Sequence, residues 1–126
     1  MPRYVILRHE PPADSARATH WDLMLETDGE LRTWALAVEP RPHEAIEALA
    51  LAPHRLAYLD YEGPVSGDRG AVVRWDAGEF SQIEVSDRSW VADLAGRRLR
   101  GRATMTHDPA EDVQRWTFWF VPAEGA

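Results

Sequence analysis

His20-Trp21-Asp22-Leu23-Met24-Leu25-Glu26 is the stretch that decides the reading of this chain. Side chains alternate faces along a β-strand, and the apolar positions here follow that period of two. Trp21, Leu23 and Leu25 share one face and suit a core, while His20, Asp22, Met24 and Glu26 share the other. An imidazole and a carboxylate two residues apart then stand side by side, roughly 6–7 Å apart at the backbone. Both can reach toward one small cation.

Working outward, Asp28-Gly29 follows this strand as a hairpin signal, since tight primed turns need positive φ. The partner strand is expected over Glu30 to Val38, with Trp34 in it. Upstream, residues 3–9 read as a short strand, with Val5 and Leu7 alternating against Tyr4 and Ile6, that delivers His9 at its end. Pro11-Pro12-Ala13-Asp14-Ser15-Ala16-Arg17 breaks both regular periods and reads as a loop. Downstream, Pro40-Arg41-Pro42 ends the partner strand. His43 to Leu51 is rich in Ala, Glu and Leu and predicts one short helix, closed by Pro53. Arg55 to Glu62 reads as a strand, with His54, Leu56, Tyr58, Asp60 and Glu62 on one face. Further strands are expected at Ala71 to Trp75, Phe80 to Val85 and Trp90 to Leu94, with Asp76-Ala77-Gly78 turning the first two. Arg97 to Thr106 alternates Leu99, Ala103 and Met105 against Arg98, Arg100 and Arg102, and Arg115 to Val121 forms a last, aromatic strand. About eight short strands with regular turn signals predict an all-β fold: a small closed or nearly closed β-barrel with one short helix.

Length and composition bound the rest. The 126 residues suffice for one domain with a real core, so residues 1–126 are expected to form a single unit. A hydrophobic fraction of 44% with six Trp argues against a disordered chain. No apolar run approaches the roughly 20 residues of a membrane span, and the N-terminus lacks the pattern of a signal peptide. The absence of Cys removes disulfides, thiolate metal sites and thiol nucleophiles together, and a cytoplasmic location is expected. A net charge of −7 disfavours non-specific nucleic-acid binding. All 14 bases are Arg, however, so a local basic groove remains compatible with the acidic total.

Without Cys, metal candidates come from the five His and the acids. His9, His20 and Asp22 make a two-His, one-carboxylate set suited to Mn²⁺, Fe²⁺, Co²⁺ or Zn²⁺, with positions left open for substrate. The alternative is that all three are solvated polar residues beside a loop. His54 and Tyr58 share a strand face four residues apart and could flank an anion; otherwise they are a rim Tyr and an unrelated loop His. Arg98, Arg100 and Arg102 are either a solvated strand face or a phosphate track. His43 and His107 read as surface residues.

The order of these pieces resembles the 3′-phosphoesterase domain of bacterial DNA ligase D and its stand-alone relatives. That family has a strand ending in His, a loop, then a His-aromatic-Asp-Leu-Arg-Leu-Glu strand, Asp-Gly and Trp-Ala. Here these read Val5-Ile6-Leu7-Arg8-His9, then His20 to Glu26, Asp28-Gly29 and Trp34-Ala35. The later His-Pro-Leu-x-Tyr-x-x-Phe-Glu-Gly is similar to His54 through Gly63, Gly-x-Val-x-x-Trp-Asp to Gly70 through Asp76, and Gly-Lys-Lys-Leu-Lys-Gly-Arg to Gly96 through Arg102. The likeness runs in order along nearly the whole chain. It implies a β-barrel DNA-repair enzyme that prefers Mn²⁺ (Zn²⁺ or Co²⁺ as substitutes) and trims nucleic-acid 3′ ends, removing a terminal ribonucleoside and then the 3′-phosphate, with end-joining proteins as partners. It implies that His9, His20 and Asp22 hold the metal and that His54 and Tyr58 contact the scissile phosphate.

Two departures stand out. The family's Arg two positions after the Asp is Met24 here, and a thioether cannot replace paired charged donors. The loop from His9 to His20 is also longer by about five residues, a thermodynamically cheap change. Arg17, Arg98, Arg100 or Arg102 are the candidates to supply the missing charge. Two alternatives stand beside this reading: a non-catalytic relative that binds a metal or a nucleic-acid end, and an Fe(II)/2-oxoglutarate oxygenase using His20, Asp22, His107 and Arg115.

Overall fold

The computed structural model describes residues 1–124. Its strands are β1 (Arg3–Glu10), β2 (His20–Thr27), β3 (Glu30–Leu36), β4 (Ile46–His54), β5 (Gly63–Pro64), β6 (Ala71–Val85), β7 (Ser89–Gly96), β8 (Arg100–Thr106) and β9 (Arg115–Pro122). Eight of them run antiparallel in the ring β1-β2-β3-β4-β9-β8-β7-β6, and pairing of β6 back to β1 closes the barrel. Closure removes the sheet edges that an open sheet would expose. The short β5 adds to the outer part of β6.

The period-two reading of β2 holds. Leu23 and Leu25 are fully buried in the barrel interior with Tyr4, Ile6, Trp34, Leu36, Trp90, Phe118 and Phe120, and Trp21 is half-buried against that core. The hairpin forms as expected: Thr27 pairs with Glu30 across Asp28 (φ 51°) and Gly29 (φ 84°), both left-handed as a two-residue primed turn requires.

The other face of β1 and β2 is not bare. From residue 55 the chain leaves the barrel wall and crosses its outside through a single 3₁₀ turn, Leu56–Leu59, and then β5. Leu59 and Val65 from this crossover pack on Val5, Leu7, Met24, Leu31 and Val72, making a second, smaller core on the barrel exterior. The residues of β2 that lie opposite Leu23 therefore sit in a partly dry layer and not in open solvent.

Three sequence expectations are corrected. Residues 43–51 form no helix: the only helical element among the described residues is the 3₁₀ turn, and Ile46–His54 is a strand. Ile46 and Ala48 point inward while Glu47 and Leu49 point out, and Ile46 to Leu49 pair with Phe118 to Arg115. The ladder position between β3 and β9 must be filled for closure, and that tertiary pairing overrides helix propensity. Residues 55–62 are the crossover and not a strand, because burying Leu59 over the barrel exterior competes successfully with extension. Asp76-Ala77-Gly78 is not a turn either. β6 runs unbroken through it, with a bulge opposite Ile6 and Leu7.

That bulge places Asp76 at a buried joint. Its carboxyl accepts hydrogen bonds from the Tyr4 hydroxyl (2.6 Å), the Arg98 amide (2.8 Å) and the Leu99 amide (3.1 Å), tying β1 and β6 to the β7–β8 turn. Burial, with the bond to Asp76, pushes the Tyr4 phenol far up, so it stays a donor. Asp76→Ala strands all three donors and should cost about 3 kcal/mol or more in urea unfolding, with Tyr4→Phe costing about 1–2 kcal/mol. Equal and small losses for both would show that Asp76 does not hold the joint.

Candidate metal centre

Antiparallel pairing of β1 with β2 sets Leu7 opposite Asp22 and His9 directly opposite His20. The two imidazole centroids are 4.7 Å apart. The loop of residues 11–19 joins the two strands beyond this last pair. His9 Nδ1 lies 3.3 Å from Asp22 Oδ2, and His20 Nε2 lies 3.3 Å from Asp22 Oδ1. One donor atom from each of the three residues falls within 4.8 Å of the others. The cluster faces the barrel exterior, at the end of the small outer core.

Each ring is oriented from behind by a backbone carbonyl. His9 Nε2 is 2.8 Å from the Arg69 carbonyl, and His20 Nδ1 is 3.1 Å from the Ala18 carbonyl. A carbonyl only accepts, so both outer nitrogens carry the hydrogen. Neutral rings then aim the lone pairs of His9 Nδ1 and His20 Nε2 at a carboxylate that is itself 2% exposed. Asp22 Oδ1 has no hydrogen-bond partner, because His20 approaches it off hydrogen-bond geometry. Facing lone pairs in a buried space require protons or a cation between them. Backbone carbonyls that fix the tautomers of two converging imidazoles are also the usual outer support of metal ligands. The donor set thus fits a divalent ion.

Arg69 was not legible as a contributor in the sequence, where it merely follows the break in regular structure that Ser66-Gly67-Asp68 signals. Its carbonyl reaches His9 because the loop lies on the end of β1. Gly70 (φ +91°) allows that approach, since a Cβ there would meet the Glu10 carbonyl oxygen at 2.0 Å. The one available trace is an Arg held between glycines.

Of the two carbonyl-anchored imidazoles and the carboxylate they share, His20 and Asp22 lie in the stretch that sequence comparison matches. A family model for the DNA ligase D 3′-phosphoesterase domain covers residues 13–107. The chain belongs to that family. Among relatives, the multifunctional non-homologous end joining protein LigD of Pseudomonas aeruginosa is 34% identical over 87 residues, covering 65% of this chain and 10% of that protein. The multifunctional non-homologous end joining DNA repair protein LigD of Mycobacterium tuberculosis is 32% identical over 108 residues, 79% of this chain and 14% of that protein. The chain therefore spans only a small part of these relatives. The family match contains His20, Asp22, His54, Tyr58 and Arg69, whereas His9 precedes it and joins them through the β1–β2 ladder.

Within this 3′-phosphoesterase-family fold, a pocket of about 130 Å³ beside the cluster brings together His9, Asp22, Met24, His54, Tyr58, Arg17 and Arg69. His54 ends β4 and Tyr58 lies in the 3₁₀ turn, so they meet by a different route from the expected common strand face, with ring centroids 5.7 Å apart. His54 Nδ1 donates to the Ala52 carbonyl at 2.9 Å, leaving Nε2 free. Met24 is 1% exposed and packs in the outer core, so the position beside Asp22 is occupied by an apolar chain. Arg17 and Arg69 make no ion pair among the described residues.

Arg98, Arg100 and Arg102 are not brought to this pocket. They lie on the β7–β8 side of the ring, across the barrel from β2. Arg102 pairs with Asp93 (2.9 Å), Arg98 covers the Trp75 ring (4.7 Å), and Arg100 Nε donates to the Gly96 carbonyl. His107 stacks on Trp116 and bonds the Arg115 carbonyl, outside the cluster, so the oxygenase pattern finds no third ligand there.

The cluster's charges shift in opposite directions. The hydrogen bond to Asp22 raises the His9 pKa, with burial opposing and the Arg69 carbonyl assisting. Burial pushes the Asp22 carboxyl up, but the His20 and His9 imidazoles outweigh it and hold it below its ordinary value. In the metal-free protein, protonated His9 stabilises the fold fully below roughly pH 6.5, and that contribution is lost as pH rises through its raised pKa. The Asp22 contribution is present above roughly pH 3.9 and is lost as pH falls through its lowered pKa. A bound cation must displace the His9 proton. Calorimetry should therefore show Mn²⁺ affinity climbing with pH to above roughly 6.5, with proton release, and collapsing in Asp22→Ala. A pH-independent affinity, or one unchanged in Asp22→Ala, would place the ion elsewhere.

Proposed function

We propose that this chain is a metal-dependent phosphoesterase that trims nucleic-acid 3′ ends, removing a terminal ribonucleoside or a 3′-phosphate, in DNA repair. The observation that carries the proposal is the buried Asp22 carboxylate, its Oδ1 without a hydrogen-bond partner, facing two imidazoles whose outer nitrogens are fixed, next to a pocket lined by His54, Tyr58, Arg17 and Arg69. Family membership supports it, and the relatives' names point to end joining.

His9, His20 and Asp22 would hold the ion, with Mn²⁺ the first choice and Zn²⁺ or Co²⁺ compatible with the same donors. A divalent cation in that position supplies Lewis-acid polarisation of a phosphoryl oxygen. The remaining work belongs to this chain's own side chains. Tyr58 donates its O–H to a phosphate oxygen. His54 Nε2 holds a proton against the charge that builds on the phosphoryl oxygens or on the leaving oxygen. Arg17 and Arg69 supply the positive charge that Met24 cannot, from the loops on either side of the cluster instead of from the strand itself.

The second reading is a non-catalytic relative that binds a metal or a nucleic-acid end, favoured by the apolar Met24 beside Asp22 and by the net charge of −7. Primers ending in a 3′-phosphate or a 3′-ribonucleotide, incubated with added Mn²⁺, separate the two. Turnover that stops with a chelator and in His54→Ala is expected. Arg69→Ala should slow turnover about ten- to a hundredfold, the equivalent of one charge-assisted hydrogen-bonded pair, while Arg102→Ala should leave it unchanged. Binding of primer without any turnover would establish the second reading.

A further inference from the structure

The metal pocket has a neighbour. Where the crossover passes over the barrel exterior, Arg55, Tyr58, Tyr61, Val65 and Ser66 enclose a second hollow of about 230 Å³. Tyr58 and Val65 line both hollows, so the thickness of one side chain separates them. The Tyr58 and Tyr61 rings stand perpendicular at 90°, with centroids 5.8 Å apart, and form a two-walled aromatic corner. The Tyr61 hydroxyl donates to the Pro64 carbonyl, which pins the ring, yet the residue remains 38% exposed. Arg55 is exposed at the rim and makes no ion pair among the described residues.

The chemistry selects one kind of occupant. A pinned aromatic corner half open to solvent suits a flat ring with a π face, and stacking on such side chains is worth about 1–3 kcal/mol per base. A free guanidinium at the rim adds attraction for that ring or for an adjoining phosphate. An inorganic anion would make no use of the two rings, and an aliphatic chain none of Arg55. The hollow is also linked to the larger site. Ser66 on its wall accepts hydrogen bonds from the Arg69 side chain at its carbonyl (2.7 Å) and hydroxyl (3.2 Å), and Arg69 also lines the metal pocket, so its side chain is held from this side.

We propose that the Tyr58–Tyr61–Arg55 corner seats the nucleobase of the nucleotide whose 3′ oxygen bears the phosphate lying in the metal pocket. This rests on the phosphoesterase reading above and adds the position of the substrate. That nucleotide is common to both ends considered: it is terminal in a 3′-phosphate end and penultimate where a ribonucleoside is removed. Stacking reads the presence of a base and not its identity, so the corner tolerates all four bases.

The test uses a primer whose terminal 3′ oxygen is replaced by a methylene group, giving a phosphonate end that cannot be hydrolysed. Its Kd, read by fluorescence anisotropy with Mn²⁺ present, is compared with that of the same primer carrying an abasic terminal sugar. Removing the base should weaken binding about tenfold. Tyr61→Ala should weaken the base-bearing primer by a similar factor and abolish the difference, while Tyr61→Phe retains it. Arg55→Ala, at an exposed rim position, should reduce the difference in part. Equal Kd values for the two primers in the natural protein, with 3′-phosphate turnover intact, would overturn the base seat and leave the phosphoesterase reading standing. No binding of either primer together with no turnover would overturn both.

Discussion

The antiparallel pairing of β1 with β2 is the constraint on which the rest depends. One ladder closes one side of the barrel core, and the same ladder sets His9 opposite His20 and aligns Asp22 with Leu7. Because side chains alternate, a one-residue slip would move Leu23 and Leu25 out of the interior and turn Asp22 into it. Burying a carboxylate in that core without partners would be strongly unfavourable. Register of the fold and assembly of the candidate metal centre are therefore the same event.

The outer core extends that logic. A barrel exterior normally faces water, where three polar residues would be solvated and mobile. Here the crossover of residues 55–70 covers it, and Leu59 and Val65 dry the layer beside Asp22. The same crossover carries Tyr58, Tyr61 and Arg69, so the segment that desolvates the centre also furnishes its neighbours. Lower local dielectric strengthens every interaction among them.

Much of this was legible in the sequence, and the misses have physical causes. The alternation of Trp21, Leu23 and Leu25 against His20, Asp22 and Met24, and the Asp28-Gly29 turn, are local signals, and both survive in the structure. His43 to Leu51 misled because Ala, Glu and Leu favour a helix locally, whereas the decisive term was the ladder position beside β9, which no local window contains. The 55–62 segment misled because alternation also arises in a chain that buries only Leu59 of its 3₁₀ turn. Asp76-Ala77-Gly78 looked like a turn, but its Asp is spent on the β7–β8 joint. Arg69 stayed hidden because its observed contact with His9 is made by a backbone carbonyl, and only the long-range approach of Gly70 to β1 puts that carbonyl behind the ring. The alternation of Arg98, Arg100 and Arg102 left a solvated face and a phosphate track both open, and only the ring order of the strands shows that these residues lie far from the pocket.

The central claim is that His9, His20 and Asp22 together hold one divalent ion on the barrel exterior. Anomalous scattering from crystals grown with Mn²⁺ tests it most directly. One strong peak is expected within coordination distance of His9 Nδ1, His20 Nε2 and the Asp22 carboxylate, with both outer ring nitrogens still bonded to the Arg69 and Ala18 carbonyls. A peak held by other residues, or no peak with both imidazoles still lying 3.3 Å from Asp22, would contradict it.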